Sequence, residues 1–138
     1  MQSSVFVWSP DLVTGDAEVD RAHLVLFQWL ERLGRACEKK RGGALIDEAL
    51  AFLSDHGYRH FADEEGKMAE INYPYLATHI AAHRSFQNRL DEIVAARQSG
   101  EDGERCALDC FEFVSDWFAR HIKLVDRPFI EFLRGERT

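Results

Sequence analysis

Apolar residues recur along this chain with the period of an α-helix, in four long segments. The first stripe is Val19, Ala22, Leu26, Phe27, Leu30 and Leu33, with His23 on the same face. The second is Ile46, Ala49, Leu50, Leu53, His56, His60, Glu64 and Met68. The third is Leu76, His79, Ile80, His83, Phe86, Leu90 and Ile93 or Val94. The fourth is Cys106, Cys110, Phe113, Val114, Trp117, His121 and Leu124. No apolar run has the alternation of a strand. "KKRGG" at 39–43, "NYP" at 72–74 and "SGEDG" at 99–103 separate the segments. Pro74 suits an early position of the third helix, where its missing N–H costs nothing. Pro128 disfavours a helical conformation at Arg127, so the fourth helix is expected to stop there.

Long helices joined by short connections predict an all-α fold, an up-down-up-down four-helix bundle. The expected organisation is one domain over 1–138, with an extended N-terminal arm (1–16), the bundle (17–127) and a tail (128–138). "PFIEFL" reads as a short C-terminal helix in that tail. A chain of 138 residues with 46% hydrophobic residues can bury a core without covalent staples.

The stripes carry groups that a simple core would not. Five of the six histidines (His23, His60, His79, His83 and His121) lie on these stripes in a pattern that joins across all four helices, and the sixth, His56, sits on the second stripe one turn before His60. His60 and Glu64, and likewise His79 and His83, are four apart, a rotation of about 40°, so each pair points one way. His121 and Asp126 are five apart, a rotation of about 140° on a regular helix. That pair shares a face only if the helix ends or carries a wide turn there, or if the carboxylate reaches in from beside the imidazole. A lone inward histidine is ordinarily hydrogen-bonded core. Five imidazoles and two carboxylates from four helices in one interior would leave many polar groups unsatisfied without a cation.

The donor set exceeds one coordination sphere. Imidazole suits iron, zinc and copper, and bridging carboxylates favour iron or manganese. Two six-coordinate ions bridged by Glu64, Asp126 and an oxide or hydroxide would leave a single position open.

Charge and cysteine content narrow the partners. Acidic residues outnumber basic ones 24 to 17, for a net charge of −7, and no basic stripe stands out. Nucleic acid is therefore an unexpected partner. Cys37, Cys106 and Cys110 form no framework spacing and are expected to be free thiols in a reducing compartment. Cys106 and Cys110, four apart, read as small buried side chains, since no second thiol pair completes a zinc site. No signal peptide or membrane-length apolar run is evident, so the expected localisation is cytoplasmic, without membrane insertion.

"TGDAEVDRAH" at 14–23, "HFADEE" at 60–65, "YPYLATHIAAH" at 73–83 and "WFARHIKLVD" at 117–126 together resemble a stand-alone bacterial hemerythrin. The single His, HxxxE, HxxxH and HxxxxD of that family are all present, over nearly the whole chain. The resemblance implies a non-haem di-iron site that binds O₂ reversibly. His79, His83 and His121 would hold one iron. His23 and His60 would hold the other, which keeps the open position. Glu64, Asp126 and an oxo or hydroxo group would bridge the pair. It further assigns the walls of a dry O₂ pocket to Leu26, Phe61, Trp117, Phe118 and Ile122.

One position departs from the family pattern. His56 stands where many bacterial members have tyrosine. It reads either as a hydrogen-bonded core residue or as a group orienting a ligand, a carboxylate or a water.

An oxygen carrier, store or supply protein is the leading expectation, with an oxygen-using enzyme or redox partner downstream. The alternatives are oxygen or redox sensing, iron handling, and a di-iron peroxidase or oxidase on the same site. The fold alone does not choose among them. Phe6 or Phe129, if exposed, would offer contacts for self-association.

Overall fold

A computed structural model of the chain describes residues 12–135. Four long helices dominate: α1 (Ala17–Glu38), α2 (Ile46–Glu70), α3 (Leu76–Gln98) and α4 (Gly103–His121). A π-helical turn (Ile122–Asp126) follows α4 without a break and leads into a short α5 (Arg127–Leu133). α1 packs on α2 and α4, and α3 packs on the same two helices, closing an all-α bundle. No strand occurs among the described residues, and no described helix is long and apolar enough to cross a membrane.

The helix starts follow from local chemistry. Asp16 caps α1 by accepting the Val19 N–H at 3.0 Å. Asp20, in the first turn, ties down the preceding loop by accepting from the Thr14 N–H and hydroxyl at 2.9 and 2.7 Å. Asp102 caps α4 through the Arg105 N–H at 3.1 Å. Two helix ends close on left-handed residues, Lys40 (φ 56°) and Asn72 (φ 55°).

Lys40, ahead of the glycines of "KKRGG", thus makes the left-handed turn after α1. Gly42 and Gly43 serve close packing against the start of α4. A Cβ on Gly42 would lie 2.6 Å from the Ala107 methyl carbon. The Glu104 carboxylate accepts the N–H groups of Gly42 and Gly43 at 3.2 and 2.8 Å.

The four predicted stripes form the core, with instructive exceptions. Pro74 lies in the turn before α3, which begins two residues later. Arg127 is helical (φ −61°, ψ −45°), contrary to the expected stop. Pro128 falls in the first turn of α5, where a proline removes no needed N–H, and so the chain continues. Leu124, expected inside, is 72% exposed. The extra residue of the π turn carries it outward and brings Asp126 inward.

Phe129 is fully buried and offers no exposed contact. With Tyr73, Met68, Val19 and Ile130 it forms a second apolar cluster that closes the bundle beneath His79. Most of the arm, including Phe6, Trp8 and Pro10, lies outside the described residues.

Candidate metal centre

Seven ionisable side chains meet in the bundle interior: His23 from α1, His60 and Glu64 from α2, His79 and His83 from α3, His121 from the end of α4, and Asp126 from the π turn. Their relative exposures run from 0% to 8%. The π turn answers the spacing problem of the last two. An i→i+5 turn sets residues five apart one above the other, and His121 Nε2 lies 3.1 Å from Asp126 Oδ1.

Two groups of donor atoms form, each close enough to surround a single ion. One comprises Glu64, His79, His83, His121 and Asp126; the other comprises His23, His60, Glu64 and Asp126. The two carboxylates are common to both. Glu64 Oε1 is 3.3 Å from both His79 Nε2 and His83 Nε2, while its Oε2 is 3.0 Å from His60 Nε2. Asp126 Oδ1 faces His79 and His121 at 3.1 Å, and its Oδ2 faces His23 at 3.3 Å. Each carboxylate therefore turns one oxygen to each group.

These contacts are short but mostly misdirected as hydrogen bonds. Both Glu64 oxygens, Asp126 Oδ2, His83 Nε2 and His121 Nε2 are buried without a hydrogen-bond partner. Buried polar atoms are rarely left so. Donors aimed at a common point between them, and not at each other, produce this pattern. Two ligands about 2.1 Å from one ion and at right angles would themselves be about 3 Å apart, close to the spacings found here. The residues fit a metal.

The electrostatics of the metal-free cluster follow from charge pairing. Burial and the Asp126 charge push Glu64 up, but His60 and His79 outweigh them and hold its carboxyl well below the usual range. Burial likewise raises Asp126, while His121, His23 and His79 bring it well below its ordinary value. Burial depresses His79, yet its contacts with Asp126 and Glu64 lift it to about 9. His60 rises for the same reason, burial being outweighed mainly by Glu64.

Aromatic rings wall the centre. Phe61 lies flat on His83, centroids 3.8 Å apart and planes within 6°. Phe118 meets His23 edge-on at 5.9 Å. Leu26, Phe61, Phe118 and Ile122 are at most 2% exposed. Trp117 stacks on His121 at 4.2 Å and is half-buried, lining an outer groove with Phe113, Arg120 and Leu124. On the other side a cleft of about 540 Å³ between α1 and α2 reaches His60 and Glu64, rimmed by Glu18, Arg21, Asp63 and Lys67.

His56 is half-buried and lies outside both donor groups. Its Nε2–H donates to the Ala22 carbonyl at 3.1 Å, beside His23, and its ring stacks between Phe52 and His60. Burial, then the neighbouring His60, lowers its pKa. The thiols take no part in either donor group. Burial raises Cys37 and Cys106 to about 11 and Cys110 to about 12, which leaves them unreactive. Sequence reasoning gave Glu65 no role, yet its Oε2 accepts from His83 Nδ1 at 2.8 Å. The only signal was the second glutamate of "HFADEE", one residue off the inner stripe.

A helical bundle whose interior gathers histidines and shared carboxylates into two ion-sized groups is the architecture of a cation-binding domain. The family model described as the hemerythrin HHE cation binding domain matches residues 14–133, and the chain belongs to that family. It is 30% identical over 132 residues to a bacteriohemerythrin of Stenotrophomonas maltophilia, covering 96% of this chain and 84% of the relative. A bacteriohemerythrin of Pseudomonas aeruginosa is 30% identical over 128 residues, 93% of this chain and 81% of the relative. The myohemerythrin of Riftia pachyptila is 28% identical over 123 residues, 89% of each chain.

Proposed function

We propose that this protein binds O₂ reversibly at a pair of iron ions, as a carrier, store or supplier of oxygen. His79, His83 and His121 would hold one ion, His23 and His60 the other, and Glu64 and Asp126 would bridge them with an oxo or hydroxo group. The observation that carries this reading is the unequal division of histidines between two donor groups that share both carboxylates. An ion with two histidines keeps an open position where its neighbour has none. When bound, the iron pair supplies two reducing equivalents and that open position.

The protein's own part is to orient the donors and keep the surroundings dry. Leu26, Phe118 and Ile122 pack as buried apolar walls, and Phe61 covers His83. Trp117 stacks on His121 and forms part of the outer groove's wall beside it. A histidine-rich donor set carries less negative charge than a carboxylate-rich one. This disfavours the high-valent chemistry that would consume oxygen. The three free thiols support a reducing, cytoplasmic setting.

One observation favours a second reading. The α1–α2 cleft gives polar molecules an approach to His60 and Glu64. Such access suits a peroxidase- or oxidase-type activity, or a sensor that oxidises readily.

Optical titration of the reduced, iron-loaded protein with O₂, followed by argon purging, separates the two. A visible charge-transfer band that forms with one O₂ per two irons and vanishes on purging is the expected result. Irreversible oxidation, with turnover of added hydrogen peroxide, would replace carriage by the second reading.

A further inference from the structure

The five imidazoles differ in what lies behind them. The inner nitrogen, Nε2, faces the carboxylates in every case. The outer nitrogen, Nδ1, is buried without a partner in His23, His79 and His121. In His83 it meets the Glu65 carboxylate at 2.8 Å. His83 is fully buried, and Glu65 retains 18% exposure. Arg84 Nη1 stands 3.7 Å from the same Glu65 oxygen, toward solvent.

Helix geometry explains how one dipeptide does two tasks. Glu64 and Glu65 are consecutive, so their side chains diverge by about 100°. Glu64 points into the interior. Glu65 leaves from the side of α2 that faces α3 and reaches the back of His83.

We propose that Glu65 is a positioning residue that makes the two metal positions unequal; this rests on the two-ion reading above. Its carboxylate fixes the proton of His83 on Nδ1, leaves the Nε2 lone pair bare toward the interior, and adds negative charge behind the ring. A carboxylate behind a ligating imidazole fixes its tautomer and raises its basicity. The His79/His83/His121 position therefore fills first and holds its ion more tightly. Three histidines against two would already give some such order. The contribution of Glu65 is the part that disappears when its charge is removed.

The test uses metal-free full-length protein titrated with Co²⁺ against a competing chelator, followed by visible absorbance. The wild type is expected to bind in two resolved steps. Glu65→Ala lowers the affinity of the tighter step by about 10–100-fold and leaves the weaker step in place. Glu65→Gln keeps an acceptor for Nδ1–H without the charge, and falls between the two. Proton NMR of the Zn²⁺-loaded protein provides a readout that a packing role would not move. A slowly exchanging His83 Nδ1–H resonance is expected in the wild type and Glu65→Gln, and lost to exchange in Glu65→Ala. Arg84→Ala removes the competing cation and keeps the tight step at least as tight. If wild type binds two ions and the Glu65 variants, folded by circular dichroism, weaken both steps equally or neither, the role of Glu65 is overturned. If wild type takes up no ion, the two-ion reading fails first and takes this inference with it.

Discussion

His121 Nε2 and Asp126 Oδ1 lie 3.1 Å apart across a single π-helical turn. On an uninterrupted α-helix the same residues would diverge by about 140°. The turn therefore makes Asp126 available to both donor groups, and its by-product is the exposure of Leu124. Deleting the exposed Lys123 would bring the two residues to a spacing of four, about 40° apart on a regular α-helix, so they would still share a face. Removing the carboxylate itself is the sharper test: Asp126→Ala is expected to give a folded bundle that binds at most one ion per chain, measured by elemental analysis beside far-UV circular dichroism. Retention of two ions would mean that Asp126 is not the second bridge.

The metal-free and metal-loaded proteins should respond oppositely to alkali. His79 is raised from 6.5 to about 9 in the metal-free fold. Its protonated form contributes stability in full below about pH 6.5, and that contribution is lost as pH rises through about 9. Glu64 and Asp126 are lowered, so their contribution is present above the ordinary carboxylate range, near pH 4, and is lost on further acidification. The metal-free protein is thus most stable between about pH 4.5 and 6.5. A metal needs these imidazoles neutral, so binding releases protons and strengthens with pH. Thermal melts from pH 4 to 9, with and without chelator, should show stability falling above pH 6.5 in the first case and not in the second.

The helices and six of the seven inward side chains, all but Asp126, are legible in the sequence because both follow from period. A helical stripe dictates which residues face inward, and charge on that stripe demands a partner. Two kinds of feature escape this logic. The π turn is a backbone decision spread over Ile122–Asp126, and no residue in it has a special conformational preference. It surfaced only as a spacing that a regular helix could not satisfy. Glu65 lies off the stripe, and its partner His83 is on another helix, so only the packing of α2 on α3 brings them together. The helical Arg127 before Pro128 is a third case, in which the continuing backbone overrode a local bias.

His56 braces α2 against α1 beside two of the donors. Replacing it with Phe keeps a ring between Phe52 and His60 but removes the bond to the Ala22 carbonyl. That carbonyl lies inside α1 and retains its intrahelical acceptor role. The cost should be about 0.5–1.5 kcal/mol of stability, read by urea unfolding of the metal-free protein. Two ions should still bind. If His56→Phe also leaves the autoxidation rate unchanged at every pH, His56 acts through structure alone.

Phe61 joins the core to the centre. It is 1% exposed, lies flat on His83, and also meets Phe86 and Trp117. Phe61→Ala would open a cavity against the His83 ring, at a cost of about 3–5 kcal/mol by the usual large-to-small penalty. Phe61→Leu keeps much of the volume and should cost appreciably less. The functional effect should separate from the stability effect. Water admitted beside the donors favours loss of the O₂-bound form by oxidation, so its lifetime should shorten in Phe61→Ala and recover largely in Phe61→Leu. Both variants are to be compared at a temperature well below their own unfolding midpoints, with the decay of the O₂-dependent visible band as the readout. Equal lifetimes in wild type and Phe61→Ala would show that the barrier to water lies elsewhere, with the buried Leu26, Phe118 and Ile122 as the next residues to vary.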